Sequence, residues 1–120
     1  MSLEIERIGH VNVIRLSGKI VTDAAREMKT EFDTYEAGTC DTLVDMQDVD
    51  YMSSYLIGIL VACFKRASSS GRRFELAGAS PRIRLVLTVS ALDSVLRCHA
   101  SREEGLKSLE GGQPVESAGR

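Results

Sequence analysis

The sequence predicts an α/β fold, a mixed and mostly parallel five-stranded sheet flanked by about four helices in the order ββαβαβαβα. Three observations carry this. Short apolar runs, several with strand-like alternation, recur along the chain. Between them lie segments whose apolar residues return every three or four positions, as a helix with one buried face requires. The connections are short, so strand, helix, strand units must close through right-handed crossovers that leave the strands parallel, and only the opening pair can be antiparallel.

Leu3-Glu4-Ile5-Glu6 alternates as a half-buried strand does, and Val11 to Leu16 follows after Gly9-His10, a tight hairpin connection. Ser17-Gly18 is expected to break this second strand. Thr22-Asp23 offers a helix N-cap with an acid in the first turn. Ala24, Ala25, Met28, Phe32 and Tyr35 form one stripe, so a helix is expected over about 22–36 with Gly38 as its stop. Thr42 to Met46 reads as a buried strand ended by the polar Gln47-Asp48. A second helix starts at Ser53 or Ser54 and runs to Ser68, with Leu56, Leu60, Cys63 and Ala67 on one face and Ile57, Val61 and Phe64 beside it. Arg72 to Ala77 is a further alternating strand closed by Gly78. Ser80-Pro81 sets an N-cap and a first-turn proline for a third helix carrying Ile83, Val86, Leu87 and Ser90. Val95 to Cys98 is expected as the last strand, and Ser101-Arg102-Glu103-Glu104 as a capping box opening a fourth helix with Leu106 and Leu109. Residues 1–110 therefore read as one domain and 111–120 as a flexible tail.

Composition narrows the function. The 120 residues, 43% hydrophobic and 27% charged, suit a single core. The acidic start, MSLEIERIG, lacks the apolar run of a secretory signal, and the apolar stretch Tyr55–Phe64 is far short of the ~20 residues of a membrane span. A cytoplasmic protein without direct membrane insertion is expected. Cys40, Cys63 and Cys98 form no CxxC pair and read as reduced, buried thiols. Residues 1–50 hold 5 basic and 11 acidic side chains and residues 51–120 hold 10 and 6, which suggests a domain with two electrical faces. With no Trp and scattered basic residues, nucleic acid is not an expected partner. No GxxxxGK[ST], GxGxxG or GxSxG occurs, and His10 and His99 read as ordinary turn or surface histidines. Neither enzyme activity nor a cofactor is expected. Asp45, Asp48 and Asp50 read as loop carboxylates that keep the sheet edge soluble, with an ion or kinase-associated magnesium contact as the alternative; no metal site is assigned.

The informative segment is Asp48-Val49-Asp50-Tyr51-Met52-Ser53-Ser54-Tyr55-Leu56-Ile57-Gly58-Ile59-Leu60. One serine at a strand-to-helix junction is explained by capping, but capping needs only one. The helix behind is apolar nearly all round, so it is either deeply buried or partly covered by a partner.

These residues resemble the STAS domain, shared by bacterial anti-sigma-factor antagonists and the cytoplasmic tails of sulfate transporters, and the resemblance covers residues 3–110. It rests on Leu16-Ser17-Gly18, on the junction Tyr51 to Gly58, on Leu76 to Pro81 and on Thr88 to Asp93. Ser53 stands where the family has Asp before its serine, Tyr55 where it has a second Ser, and Leu56 where it has a flexible Gly. The aspartate soon after Leu-x-Gly is replaced by Val21, with Asp23 two residues on. The resemblance implies an anti-sigma-factor antagonist that binds an anti-sigma factor with serine kinase activity and is switched off by phosphorylation of Ser54, with Ser53 as second choice. It implies a partner surface of Asp23, Asp50, Met52, Ser53, Ser54, Tyr55, Ile57 and Val61. A stressosome-like scaffold that self-associates and an accessory subunit of a membrane transporter stay open as alternatives.

Overall fold

Ile8 and Val11 face each other across the Gly9-His10 turn, where Gly9 has a φ of +60° that a side chain would strain, and this hairpin starts the sheet. The computed structural model describes residues 2–35 and 40–111. Strands β1 (Ser2–Ile8), β2 (Val11–Ile20), β3 (Asp41–Met52), β4 (Phe74–Ala77) and β5 (Cys98–His99) lie side by side in sequence order. β1 is antiparallel to β2, and every other neighbour pair is parallel. Helices α1 (Thr22–Thr34), α2 (Ser54–Ser69), α3 (Pro81–Val89) and α4 (Arg102–Gly111) make the connections and close the chain, with one turn of 3-10 helix at Leu92–Ser94. The expected order and mixed sheet are both present.

Most of the core lies between one face of the sheet, through Ile14, Leu16, Val44, Met46 and Leu76, and the buried sides of α1, α2 and α3. Leu56, Leu60, Cys63 and Ala67 of α2 are all fully buried there, as their spacing predicts. The other face is covered in part by α4, whose Leu109 packs with Val11, Val13, Leu43 and Ala77.

Several boundaries differ from expectation. β2 passes through Ser17-Gly18 instead of breaking: register shifts at Arg15/Ser17 and Gly18/Lys19, with Gly18 at φ +92°, absorb the irregularity and let pairing with β3 continue to Ile20. β3 likewise runs past Gln47-Asp48 to Met52, because Val49 and Met52 turn into the core while Asp48 and Asp50 stay outside. Thr22 is the first helical residue rather than a cap; Val21 occupies the N-cap position and no side chain caps α1. β4 does not alternate, since all four of its residues are buried between neighbouring strands and helices on both faces. The last strand is not Val95–Cys98, for Val95 is exposed and Leu96 turns into the core before β5 begins at Cys98. Ser80 caps α3 through the amide of Ile83, and Ser101 caps α4 through that of Glu104. The expected stop at Gly38 and the tail 112–120 lie outside the described residues.

Candidate functional site

The two serines at the β3–α2 junction have opposite surroundings. Ser53 is buried, 3% exposed, and each of its own polar groups is engaged: its amide donates to the carbonyl of Ile20, its carbonyl accepts from Ile57, and its Oγ accepts from the amide of Leu56 at 3.3 Å. It is the N-cap of α2. Ser54, the first helical residue, is exposed, and its hydroxyl is free to meet another molecule.

Beside Ser54, α1 and α2 leave a shallow groove of about 350 Å³ lined by Lys29, Asp33, Ser54, Tyr55, Gly58, Ile59 and Ala62. α1 runs alongside α2 in the same direction: Arg26 stacks over the Tyr55 ring at 5.3 Å at one end, and Arg66 donates to the Phe32 carbonyl at the other. Gly58 leaves open space where a side chain would stand. Two ion pairs line the α1 bank: Asp23 with Arg26 at 3.3 Å and Lys29 with Asp33 at 2.6 Å. The second holds the Lys29 ammonium above its ordinary pKa, through the hydrogen bond and then the charge of Asp33.

The junction residues singled out from the sequence divide into groups. Ser54 and Tyr55 line the groove, and Asp23 is linked to Tyr55 through Arg26. Tyr51, near the end of β3, and Val21, between β2 and α1, are both exposed. Met52 is buried, so its side chain faces the core. Ile57 and Val61 are half-buried on the flank of α2 away from the groove. Asp50 is exposed and lines a different hollow with Gln47, Val49, Ser80, Pro81 and Arg82. Lys29, Asp33 and Ala62 were not marked by sequence, and Gly58 and Ile59 only as part of the junction segment; the positions four and eight beyond Ser54, Gly58 and Ala62, are the small residues that open the groove, and that spacing is the one signal for it.

Asp45, Asp48 and Asp50 are all residues of β3, not loop carboxylates. Asp45 is buried 3.7 Å from Arg102, and its Oδ1 accepts from the Gln47 amide, while Asp48 meets Arg15 at 3.7 Å. Both line a polar hollow with Gln47 and Glu103 away from Ser54. No cluster of three or more acids, histidines or cysteines could hold a metal among the described residues. His99 is no surface histidine either: its Nε2 lies 2.6 Å from Glu75 Oε1, inside a cluster completed by Arg73 on Glu75 Oε2 at 2.9 Å and by Ser108 of α4. Arg102 and Arg66 pair with Glu6, Asp45 and Asp33, so part of the charge asymmetry between the two halves of the chain is met internally rather than displayed as two faces. Cys40 and Cys63 are buried and Cys98 half-buried, all three as free thiols.

Residues 2–105 match the STAS domain family. A Thermotoga neapolitana protein, named as a candidate anti-sigma factor antagonist, is 29% identical over 58% of this chain and 61% of its own length. The chain spans about three-fifths of the length of the curated relatives it matches. Among solved structures, an anti-sigma factor antagonist domain protein from Planctomyces limnophilus is similar at a TM-score of 0.82, with 21% identity over 90% of this chain and 97% of that one. The Bacillus cell fate determinant SpoIIAA in its phosphorylated form is similar at a TM-score of 0.70, with 21% identity over 88% and 97%.

Proposed function

The chain belongs to the STAS domain family, and from that premise we propose that it is an anti-sigma-factor antagonist whose docking surface is the α1–α2 groove and whose switch is Ser54. The observation that carries the reading is the division of labour at the junction: Ser53 is buried and committed to capping, and Ser54 is exposed at the mouth of the groove. The names of its relatives point the same way.

In this reading the unphosphorylated groove docks onto an anti-sigma factor and frees the sigma factor that it holds. A serine kinase on that partner transfers the terminal phosphoryl group of a nucleoside triphosphate to Ser54. The bond from Ser54 Oγ to phosphorus forms, the bond to the bridging oxygen breaks, the hydroxyl proton goes to the kinase's base, and the nucleoside diphosphate leaves. The phosphoserine carries about −1.5 to −2 charge at neutral pH. α2 has no acid in its first turn, so its free N–H groups and dipole accept this charge without unwinding. The cost falls on the complex: burying a dianion against the partner's surface costs several kcal/mol, enough to turn micromolar binding into none.

The test compares Ser54→Ala, Ser54→Asp and Ser53→Ala for binding to an anti-sigma factor with serine kinase activity encoded in the same genome. Ser54→Ala and Ser53→Ala should bind within a few-fold of the parent, and Ser54→Asp should lose at least ten-fold. Equal affinities for the Ala and Asp variants at position 54 would sink the switch, and phosphopeptide mass spectrometry after incubation with the kinase identifies the acceptor.

A further inference from the structure

The aspartates of β3 are not the charges that share a groove with Ser54. Asp45 and Asp48 are taken up by Arg102 and Arg15 in a separate hollow. The charged side chains across the groove from Ser54 belong to α1: Lys29 and its partner Asp33 line the groove itself, and Arg26 lies over the ring of the residue next to Ser54. Each cation is held by a carboxylate one helical turn away on α1, Asp23 for Arg26 and Asp33 for Lys29. All four side chains are exposed, so these pairs are weakly bound and easily exchanged.

We propose that Arg26 and Lys29 form a clamp for a phosphoryl group on Ser54, exchanging the carboxylates of Asp23 and Asp33 for its oxygens. This rests on the assignment of Ser54 as phosphoacceptor. A phosphate dianion offers three acceptor oxygens and more charge than a carboxylate, so it outcompetes Asp23 and Asp33 for the same guanidinium and ammonium. The consequence is a second arm to the switch. Phosphorylation adds charge to the docking surface, and it also draws the two cations of α1 across the apolar floor made by Gly58, Ile59 and Ala62. The phosphorylated protein is then stabilised in its released state by its own residues, independently of the partner.

The experiment uses the full chain with phosphoserine installed at position 54 during translation by stop-codon suppression, so that no kinase is needed. The second ionisation of the phosphate is followed by phosphorus NMR in the parent, in the double variant Arg26→Met/Lys29→Met and in Asp33→Asn. A clamp lowers the titration midpoint below the ordinary value of about 6. Removing both cations should raise the midpoint by roughly half a pH unit or more relative to the parent, and freeing Lys29 by Asp33→Asn should lower it further. The helix N-terminus is common to all three proteins and cancels. Coincident midpoints in the three proteins would overturn the clamp; the substituted residues are exposed, and circular dichroism checks that each variant is folded. Whether a kinase uses Ser54 is read separately by mass spectrometry, so a failed clamp and a failed acceptor assignment give different results.

Discussion

The guanidinium of Arg66, in α2, donates a hydrogen bond of 2.6 Å to the carbonyl of Phe32, in the last turn of α1. α1 has no basic residue of its own in that turn, so the cation which satisfies its free carbonyls and negative dipole end comes from the neighbouring helix. The same side chain stacks over Tyr35 at 5.7 Å and reaches Asp33 at 3.9 Å, which fixes the far end of the groove whose near end is Ser54.

Arg66→Met should therefore destabilise the fold by about 1–2 kcal/mol, the usual loss for a charge-assisted bond to a partly buried acceptor. The check is urea denaturation, with a lower midpoint and an unchanged slope. A midpoint equal to the parent's would show that water caps α1 equally well.

Ser53 and Ser54 should separate in stability as they do in surroundings. Ser53→Ala removes the cap of α2 and should cost about 1 kcal/mol. Ser54→Ala changes an exposed hydroxyl and should stay within about 0.5 kcal/mol of the parent. Thermal melts of the two single variants decide this, and equal losses would mean that the capping role is shared.

Two helical glycines should respond oppositely to alanine. A side chain at Gly105 of α4 would stand 2.7 Å and 2.9 Å from the two methyl groups of the fully buried Leu43, so Gly105→Ala forces α4 away from the sheet. The overpacking, about 1–3 kcal/mol, exceeds the helix-propensity gain of about 1 kcal/mol, and net destabilisation is expected. Gly58 faces open space, so Gly58→Ala should stabilise by up to about 1 kcal/mol while making the groove shallower and weakening partner binding. Melting temperature and binding affinity should thus move in opposite directions for this one variant.

Burial pushes the Tyr35 phenol up to about 12, and burial pushes the Cys63 thiol up as well. In the unfolded chain Tyr35 ionises near 10. Its contribution to stability is fully present below about pH 10 and is lost as pH rises from there through about 12, because the unfolded state releases a proton that the folded state keeps. Tyr35→Phe should flatten the fall in urea midpoint between about pH 9.5 and 11. A fall as steep as the parent's would assign it to other groups.

Element types were legible in the sequence because each is decided by residues a few positions apart. Ser80-Pro81 and Ser101 mark helix starts by local capping, and both do so in the structure. The Ser53-Ser54 junction was visible for the same reason, though which serine was committed to the cap was not: the hydrogen bond from Leu56 and the burial of Ser53 under Ile20 depend on β2 lying alongside. The lengths of β2 and β3 were illegible since Gly18 and Asp48 look like interruptions until a partner strand supplies bulged register to absorb them.

What the sequence determined by itself is the order of strands and helices, the buried face of α2 and the placing of a serine pair at its start. These follow from periodicity and backbone capping, which act within about one helical turn or one hairpin. The tertiary structure decided which charges meet. Lys29 shares a groove with Ser54, Arg26 lies over the ring of Tyr55, Asp45 turns to Arg102, and Glu75 is buried against His99. Each of these pairings joins segments about 20 to 60 residues apart, and their geometry exists only once parallel strands have set the helices side by side.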